Sequence, residues 1–381
     1  MGTMLPAGYS SARSLADVLP SCVAALAGRP NLLKLPQVDR VVVIVVDGLG
    51  SHPLRARAGH ARFLASRLTR ATTMMSGFPT TTAVALTSLC TGTTPGRHGM
   101  VGYTVLDPVA DRVFNQLSGW KGDPDPAAWQ RCPTVFESAK ADRIAAFAIG
   151  PERYRSSSFS TAILSGADYV GAKTIEHRFA AARRILDAGG RSISYLYVPE
   201  LDIACHAHGW QSDAWLAALE EVDSQVAAFA HELKNHEAGL VTADHGVLDV
   251  PTTSHVLFDT VPELLEGVRH VAGDPRCLQL HLAADASEAE AAALAARWTH
   301  VEGHRAWVAT RAQAIEAGWF GANVDPAIVP RIGHLLIAAR GRIAYYDSRT
   351  ATKQSLAMIG QHGSFTVEEL AVPLIGVGAF A

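Results

Sequence analysis

The strongest constraint on the fold is an alternation of short β-branched runs with longer stretches of helical periodicity. "VVVIVV" (41–46), "AAFAI" (145–149), "SISYLYV" (192–198) and "AGLVTAD" (238–244) are a few residues long and apolar at both odd and even positions. That is the pattern of strands buried on both faces of a parallel sheet. Between the last two runs, Trp215, Leu219, Val222, Val226, Phe229 and Leu233 recur at steps of four and three. They mark one face of an amphipathic helix, opened by Ser212 and Asp213 as caps. Strand, helix, strand in repetition predicts an α/β fold with a doubly wound, mostly parallel sheet.

After about residue 255 the pattern changes. "ASEAEAAALAARW" reads as an alanine-rich exposed helix, "RAWVATRAQAIEAGWFG" as a strand then a helix, and "HLLIAARGRIAYYD" as a hairpin around Gly341. Residues 256–347 are therefore expected to form a smaller inserted α+β subdomain. The main domain is discontinuous, 1–255 and 348–381, with "EELAVPLIGVGAF" returning to the main sheet.

Composition narrows the function. A net charge of -3 over 381 residues provides no basic field for a nucleic-acid polymer. The basic stretch at 55–70 reads as the solvated face of a helix. No run approaches the length of a membrane span. "SLADVLPSCVAALAGRP" looks like a signal peptide, but Asp17 and Pro20 interrupt its apolar part, and "MGTMLP" lacks the Ser or Thr of a myristoylation signal. Five scattered cysteines without a CxxC pair fit a reducing interior, so the expected location is cytoplasmic.

In open α/β sheets, ligands bind at the carboxyl ends of the strands. The residues that follow the expected strands are Asp47 in "DGLG", Asp202 and His206 in "PELDIACHAHG", and Asp244 and His245 before Gly246; a late "GQHGS" adds His362. Singly, an Asp-Gly is usually a turn, an i, i+4 Asp/His pair often bonds only itself, and a lone His is most often ordinary. Together, three carboxylates and three imidazoles at one edge would repel and desolvate one another unless cations neutralised them. Mixed Asp/His ligation suits zinc or a similar divalent ion, and six ligands suit two ions. Two metals about 4 Å apart are a device for hydrolysing phosphate esters. The attacking oxygen is expected from "PTTTAVAL": a hydroxyl just before the helical run 83–89 lies where amides and dipole favour an anion. Thr82 and Thr81 both meet that description, and either would also serve as a plain N-cap.

These motifs resemble the alkaline phosphatase superfamily in its type I phosphodiesterase/nucleotide pyrophosphatase branch. The resemblance rests on "PTTTAVALTSLCTGTTPGRHGMVGY", Asp-x-x-x-His, Asp-His-Gly and Gly-x-His-Gly, in the family's order, over roughly 38–255 and 355–378. It implies an alkaline phosphatase-like catalytic domain and hydrolysis of a phosphodiester or pyrophosphate through a phosphothreonine. Thr82 would be the nucleophile, with Thr81 the fallback. Asp47, Asp244 and His245 would hold one metal and Asp202, His206 and His362 the other, most simply zinc, with manganese the second choice. The substrate would be a small-molecule phosphate ester such as a nucleotide. Where the family places an Asn on a phosphate oxygen, this chain has Tyr103, whose phenol can also donate. Phe78 and Tyr103 are the candidates for an aromatic platform. His208 is a possible partner behind the metal site and His255 a rival ligand. His98 reads as structural, and His52, His60, His304 and His334 as ordinary.

The main alternative is a phosphomonoesterase or phosphonate hydrolase on the same scaffold; a metal-stabilised binding protein without catalysis ranks lower. A sulfatase is disfavoured because Cys90 lacks the Cys-x-Pro-x-Arg context, and a Rossmann dehydrogenase because "DGLG" lacks the G-x-G-x-x-G spacing.

Overall fold

Val41 to Val46 are all fully buried, so both faces of their strand are covered, as the unbroken apolar run requires. This strand, β1 (Arg40–Val46), is the middle of a seven-stranded sheet in the computed structural model, which describes residues 4–8, 13–120 and 124–381. Met1–Thr3, read above for an acylation signal, lie outside the described residues.

On one side β1 pairs in parallel with β7 (Ser192–Val198), followed by β5 (Ala145–Gly150) and β6 (Asp168–Gly171). On the other it pairs in parallel with β8 (Glu237–Thr242). The tail returns as β17 (Ala371–Gly378), antiparallel to β8 and to the edge strand β2 (Thr73–Met75). The sheet is thus mostly parallel, and its topological switch lies at β1, between β7 and β8. Val45 is level with Tyr197 and with Thr242, so whatever follows these three strands meets at one place.

The helix Asp213–Glu232 forms as its periodicity predicts. Ser212 caps it by accepting the Trp215 N–H, and Trp215, Leu219, Val222, Val226 and Phe229 are its buried face. Leu233 has already turned to extended backbone at the C-cap. The segment that looked like a signal peptide contains the buried helix Val18–Leu26. The basic stretch is broken into the short helices Ser51–Ala56 and Arg62–Ala65, its arginines at the surface. Among the described residues, no helix is long and apolar enough to cross a membrane.

A second sheet has six antiparallel strands in the order β13 (Ala306–Thr310), β14 (Leu335–Ala339), β12 (Cys277–His281), β11 (His270–Asp274), β3 (Thr104–Asp107) and β4 (Arg112–Asn115). Four of these strands come from 256–347, but the hairpin β3–β4 is lent by the segment assigned to the main domain. Composition alone does not reveal that loan, because a short hairpin carries no mark of the sheet it will join. The hairpin expected around Gly341 does not form. β14 is taken on both sides by β12 and β13, while β15 (Ala344–Tyr346) pairs in parallel with β10 (His255–Leu257). The reason is the buried Arg276, whose Nη1 binds both Gly341 O and Ile343 O at 2.6 Å, so these carbonyls are withdrawn from any ladder with β14. A last ribbon joins β9 (Leu248–Asp249) to β16 (Gly360–Gln361). The alanine-rich helix Glu288–Glu302 is not exposed all round: Ala291, Leu294 and Trp298 bury one face, with Trp298 Nε1 donating to Leu264 O.

Candidate metal centre and nucleophile

Each of the three central strands releases an acid at its carboxyl end. Asp47 follows β1 directly, its N–H donating to Val198 O at 2.9 Å. After β7 the chain enters the helix Glu200–His208, which puts Asp202 and His206 one turn apart, with His206 Nε2 at 3.1 Å from Asp202 Oδ2. Beyond β8 come Asp244 and His245. The Asp-Gly at 47–48 is more than a turn: Gly48 has φ +72, and a Cβ there would lie 3.1 Å from Asp202 Oδ1. Its N–H donates to Asp244 Oδ1 at 3.1 Å, tying the first and third strand ends together.

The six acids and imidazoles form two groups. Asp47, Asp244 and His245 make one and Asp202, His206 and His362 the other; within each, one donor atom from every residue lies within 4.8 Å of the others. His245 Nε2 is 3.5 Å from Asp47 Oδ1, 3.3 Å from Asp244 Oδ2 and 3.2 Å from Thr82 Oγ1. The rings of His245 and His362 stack at 3.6 Å between centroids, which joins the two groups.

The donor chemistry fits cations. His206 Nδ1 bonds Gly360 O and His362 Nδ1 bonds Thr80 O, each at 2.7 Å. A carbonyl only accepts, so both Nδ1 atoms carry a proton, and each ring in its neutral form presents a lone pair at Nε2. Those two Nε2 atoms face each other at 3.4 Å, an arrangement suited to an ion between them. Asp47 Oδ1, Asp202 Oδ1 and Asp244 Oδ2 are buried without a hydrogen-bond partner among the described residues. Orphaned buried carboxylate oxygens are costly, and a divalent cation resolves the cost.

The groups also shift one another's protonation. Burial, then the charges of Asp244 and Asp202, push Asp47 well above the ordinary carboxylate range. Burial also works against a charged Asp202, but His206, with His362 and His245, outweighs it and holds Asp202 below its usual value. Burial opposes protonation of His206 too, yet Asp202 beside it raises that imidazole to about 9. Burial and the neighbouring His245 press His362 well below its ordinary value.

The three threonines divide the work. Thr80 is a clasp: its hydroxyl donates to Ser364 O and accepts from Gly363 N–H, both at 2.9 Å, holding the loop that carries His362. Thr81 is the N-cap of the helix Thr82–Thr91, although its hydroxyl makes no capping bond and is buried without a partner. Thr82 is the first helical residue, and its hydroxyl is the one set against His245. Amides in the first turn of a helix have no intrahelical carbonyl and favour an anion.

Thr82 also lines a cleft with Leu86, Leu117, Ile149, Phe159 and four tyrosines, Tyr154, Tyr169, Tyr195 and Tyr197. Neither proposed platform belongs to it. Phe78 is 1% exposed and stacked on Phe365 at 3.8 Å, with Trp319 and Phe320 against its edges, so it is core. Tyr103 is 38% exposed, its phenol has no hydrogen-bond partner among the described residues, and it does not line the cleft. The aromatic wall comes instead from residues the motifs do not flag. Tyr197 matters most, because its O–H donates to Asp47 Oδ2. Its one sequence signal is its spacing from Tyr195, which puts two phenols on one face of β7.

The remaining histidines separate cleanly. His98 is structural, buried with Nε2 at 2.9 Å from Ser88 Oγ and Nδ1 accepting from Met100 N–H. His208 is exposed at the helix end and stands behind no ligand. His255 lies on β10 against Tyr346, apart from both groups. Cys90 is buried, two helical turns beyond Thr82.

With this geometry established, the sequence matches the Type I phosphodiesterase / nucleotide pyrophosphatase family over residues 41–365. The chain belongs to that family. It is accordingly a phosphoric-ester hydrolase of the alkaline phosphatase superfamily, with residue groups fit for divalent metal. No curated protein sequence is significantly similar to it. Among solved structures, murine ectonucleotide pyrophosphatase / phosphodiesterase 5 aligns over 89% of this chain and 88% of its own, at 17% identity and TM-score 0.68. An inactive threonine-to-alanine form of that murine protein, in complex with AMP, aligns over the same shares at 15% identity and TM-score 0.67. Phosphonoacetate hydrolase from Sinorhizobium meliloti 1021, in complex with phosphonoacetate, aligns over 90% of this chain and 91% of its own, at 18% identity and TM-score 0.68. At these identities the likeness is one of fold, and the type I phosphodiesterase family shares its architecture with a carbon–phosphorus hydrolase.

Proposed function

We propose that this type I phosphodiesterase-family chain cleaves a phosphodiester or pyrophosphate bond with Thr82 as the nucleophile, and that the ester's organic group lies in the tyrosine-lined cleft. One observation carries the reading: the Thr82 hydroxyl sits between His245 Nε2 and that cleft. Asp47, Asp244 and His245 would hold one divalent ion and Asp202, His206 and His362 the other. The two ions, zinc in this reading with manganese second, supply charge neutralisation and favour ionisation of the attacking hydroxyl when bound. The chain's own residues do the rest. The first amides of the helix Thr82–Thr91 face the phosphoryl oxygens, Thr80 and Gly360 orient the imidazoles, and the cleft walls exclude water from the leaving-group side.

The inactive threonine variant of the murine protein bound to AMP supports both the nucleophile and a nucleotide-like ester. The phosphonoacetate hydrolase likeness supports a phosphonate substrate instead. The cleft favours the first reading, since its described lining is aliphatic and aromatic with two serines and no cationic side chain for a substrate carboxylate. The deciding experiment compares turnover of bis(p-nitrophenyl) phosphate, p-nitrophenyl phosphate and phosphonoacetate by the metal-loaded protein. Highest kcat/KM on the diester is expected. A preference for phosphonoacetate would replace this proposal with the phosphonate reading, and a preference for the monoester would replace it with a phosphomonoesterase.

A further inference from the structure

The second sheet carries a row of basic side chains outside the metal centre. His281 ends β12; His270 on β11 pairs with it directly, and His334, just before β14, continues the β12–β14 register. Arg311, just after β13, extends the row, its N–H donating to His334 O at 2.9 Å. Residues level with one another across a sheet project from the same face. That face is turned towards the main core: Cys277 and Leu336, on the same parity, pack within it, and Gln279 Nε2 donates to Val101 O at 2.7 Å.

Three members of the row lack a partner for their donors. His281 is fully buried, and neither ring nitrogen has a hydrogen-bond partner among the described residues. Arg311 Nε is buried and equally unpaired. His334 Nδ1 accepts from Leu282 N–H at 3.2 Å, so its proton is on Nε2, which is left to donate elsewhere. The rings of His281 and His334 stand nearly perpendicular, 6.3 Å apart. His270 is satisfied: Asp111 takes its Nε2 at 2.8 Å and Arg269 with the other oxygen, so the acid at that end is already engaged.

A buried, unpaired guanidinium Nε beside a fully buried imidazole with neither nitrogen paired is costly, and apolar side chains would serve the sheet better. Burial lowers Arg311 to about 10 and, helped by Arg311, His281 to about 3 and His334 to about 4. Both imidazoles are therefore neutral N–H donors beside the one positive charge, Arg311, a combination that offers an anion a cation and hydrogen bonds. We propose that Arg311, His334 and His281 form a binding site for a small oxyanion of the phosphate class, separate from the metal centre. Donors from three adjacent strands suit a tetrahedral ion better than a flat carboxylate. Arg311 and His334 are half-buried and His281 is fully buried, so solvent meets the first two before the third.

The test is calorimetric titration of the metal-loaded protein with inorganic phosphate, with tungstate soaked into crystals to locate the site. Two phosphate sites per chain are expected, one at the metals and one that disappears in both Arg311→Gln and His334→Gln. Tungstate should appear between Arg311 and His334 and vanish in the variants, while remaining at the metals. If Arg311→Gln does not fold, His334→Gln at its half-buried position carries the test alone. A single phosphate site untouched by either substitution, or tungstate at the metals only, overturns the proposal. Acetate that displaces phosphate from this site at equal concentration overturns the phosphate class.

Discussion

Tyr197→Phe isolates one hydrogen bond at the candidate metal centre. The phenol donates to Asp47 Oδ2, leaving the orphaned Asp47 Oδ1 to face the His245 group. Removing the O–H keeps the ring, its stacking on Tyr195 at 6.1 Å and the cleft wall. A hydrogen bond to a charged acceptor contributes about 1.5–3 kcal/mol, and at about 1.4 kcal/mol per decade that is roughly a 10- to 100-fold change in an equilibrium constant. Outer partners of metal ligands fall in the same range. The sign is set by Asp47, whose charged form loses a donor, so its already raised pKa rises further and protons compete better with the metal. The expected result is metal affinity about 10- to 100-fold weaker, most of all at low pH, with kcat at saturating metal little changed. The assay is activity and calorimetry in metal-buffered solutions at two pH values, with Tyr195→Phe as the control for the cleft. Unchanged metal affinity would refute the reasoning, and a kcat loss that excess metal does not restore would assign Tyr197 to the chemical step instead.

Thr82→Ala should lose about 10³-fold or more in kcat while keeping its metals, as loss of a covalent route requires; Thr81→Ala should retain activity, and the reverse outcome in steady-state assays would move the nucleophile by one residue. Chelation should abolish hydrolysis and lower Tm, because metal binding adds to folded-state stability; undiminished activity in metal-free protein, checked by elemental analysis, removes the two-metal reading. Tyr103→Phe should lower kcat by less than about ten-fold if the phenol serves a phosphoryl oxygen, less than a lone donor because the metals carry most of the charge; an unchanged kcat on every ester ends that role. Burial raises Asp274 from its ordinary 3.8 to about 7, so its contribution to stability is present below pH 3.8 and is lost as pH rises through 7. Asp274→Asn should therefore match the wild type near pH 4 in urea unfolding and exceed it at pH 8, by at most about 4 kcal/mol; equal pH slopes for both proteins would show that Asp274 does not titrate on unfolding.

Some of this molecule was legible residue by residue. The central strands follow from unbroken apolar runs such as Val41–Val46, and the helix from Trp215 to Phe229 from its period, because both patterns record burial within a short window. The two candidate metal groups were legible for a related reason. Asp47, Asp202 and Asp244 each come just after the strand that delivers them, so finding the strands found the acids. The different settings of Thr82 and Thr81, one hydroxyl against His245 and the other buried without a partner among the described residues, are not legible in a local pattern, since adjacent helix-start hydroxyls point in different directions. Tertiary structure alone decided the rest. Tyr197 reaches Asp47 because β7 lies beside β1 with Val45 level with it, a pairing between residues some 150 positions apart. Phe78 was lost to the core because Phe365, Trp319 and Phe320 close around it from the far end of the chain. The hairpin at 104–115 joined a sheet made mostly of later residues, and Arg276 drew the Gly341 turn away from its expected partner. In each case the contact energy lies between segments that share no local pattern, so it exists only once the chain has folded.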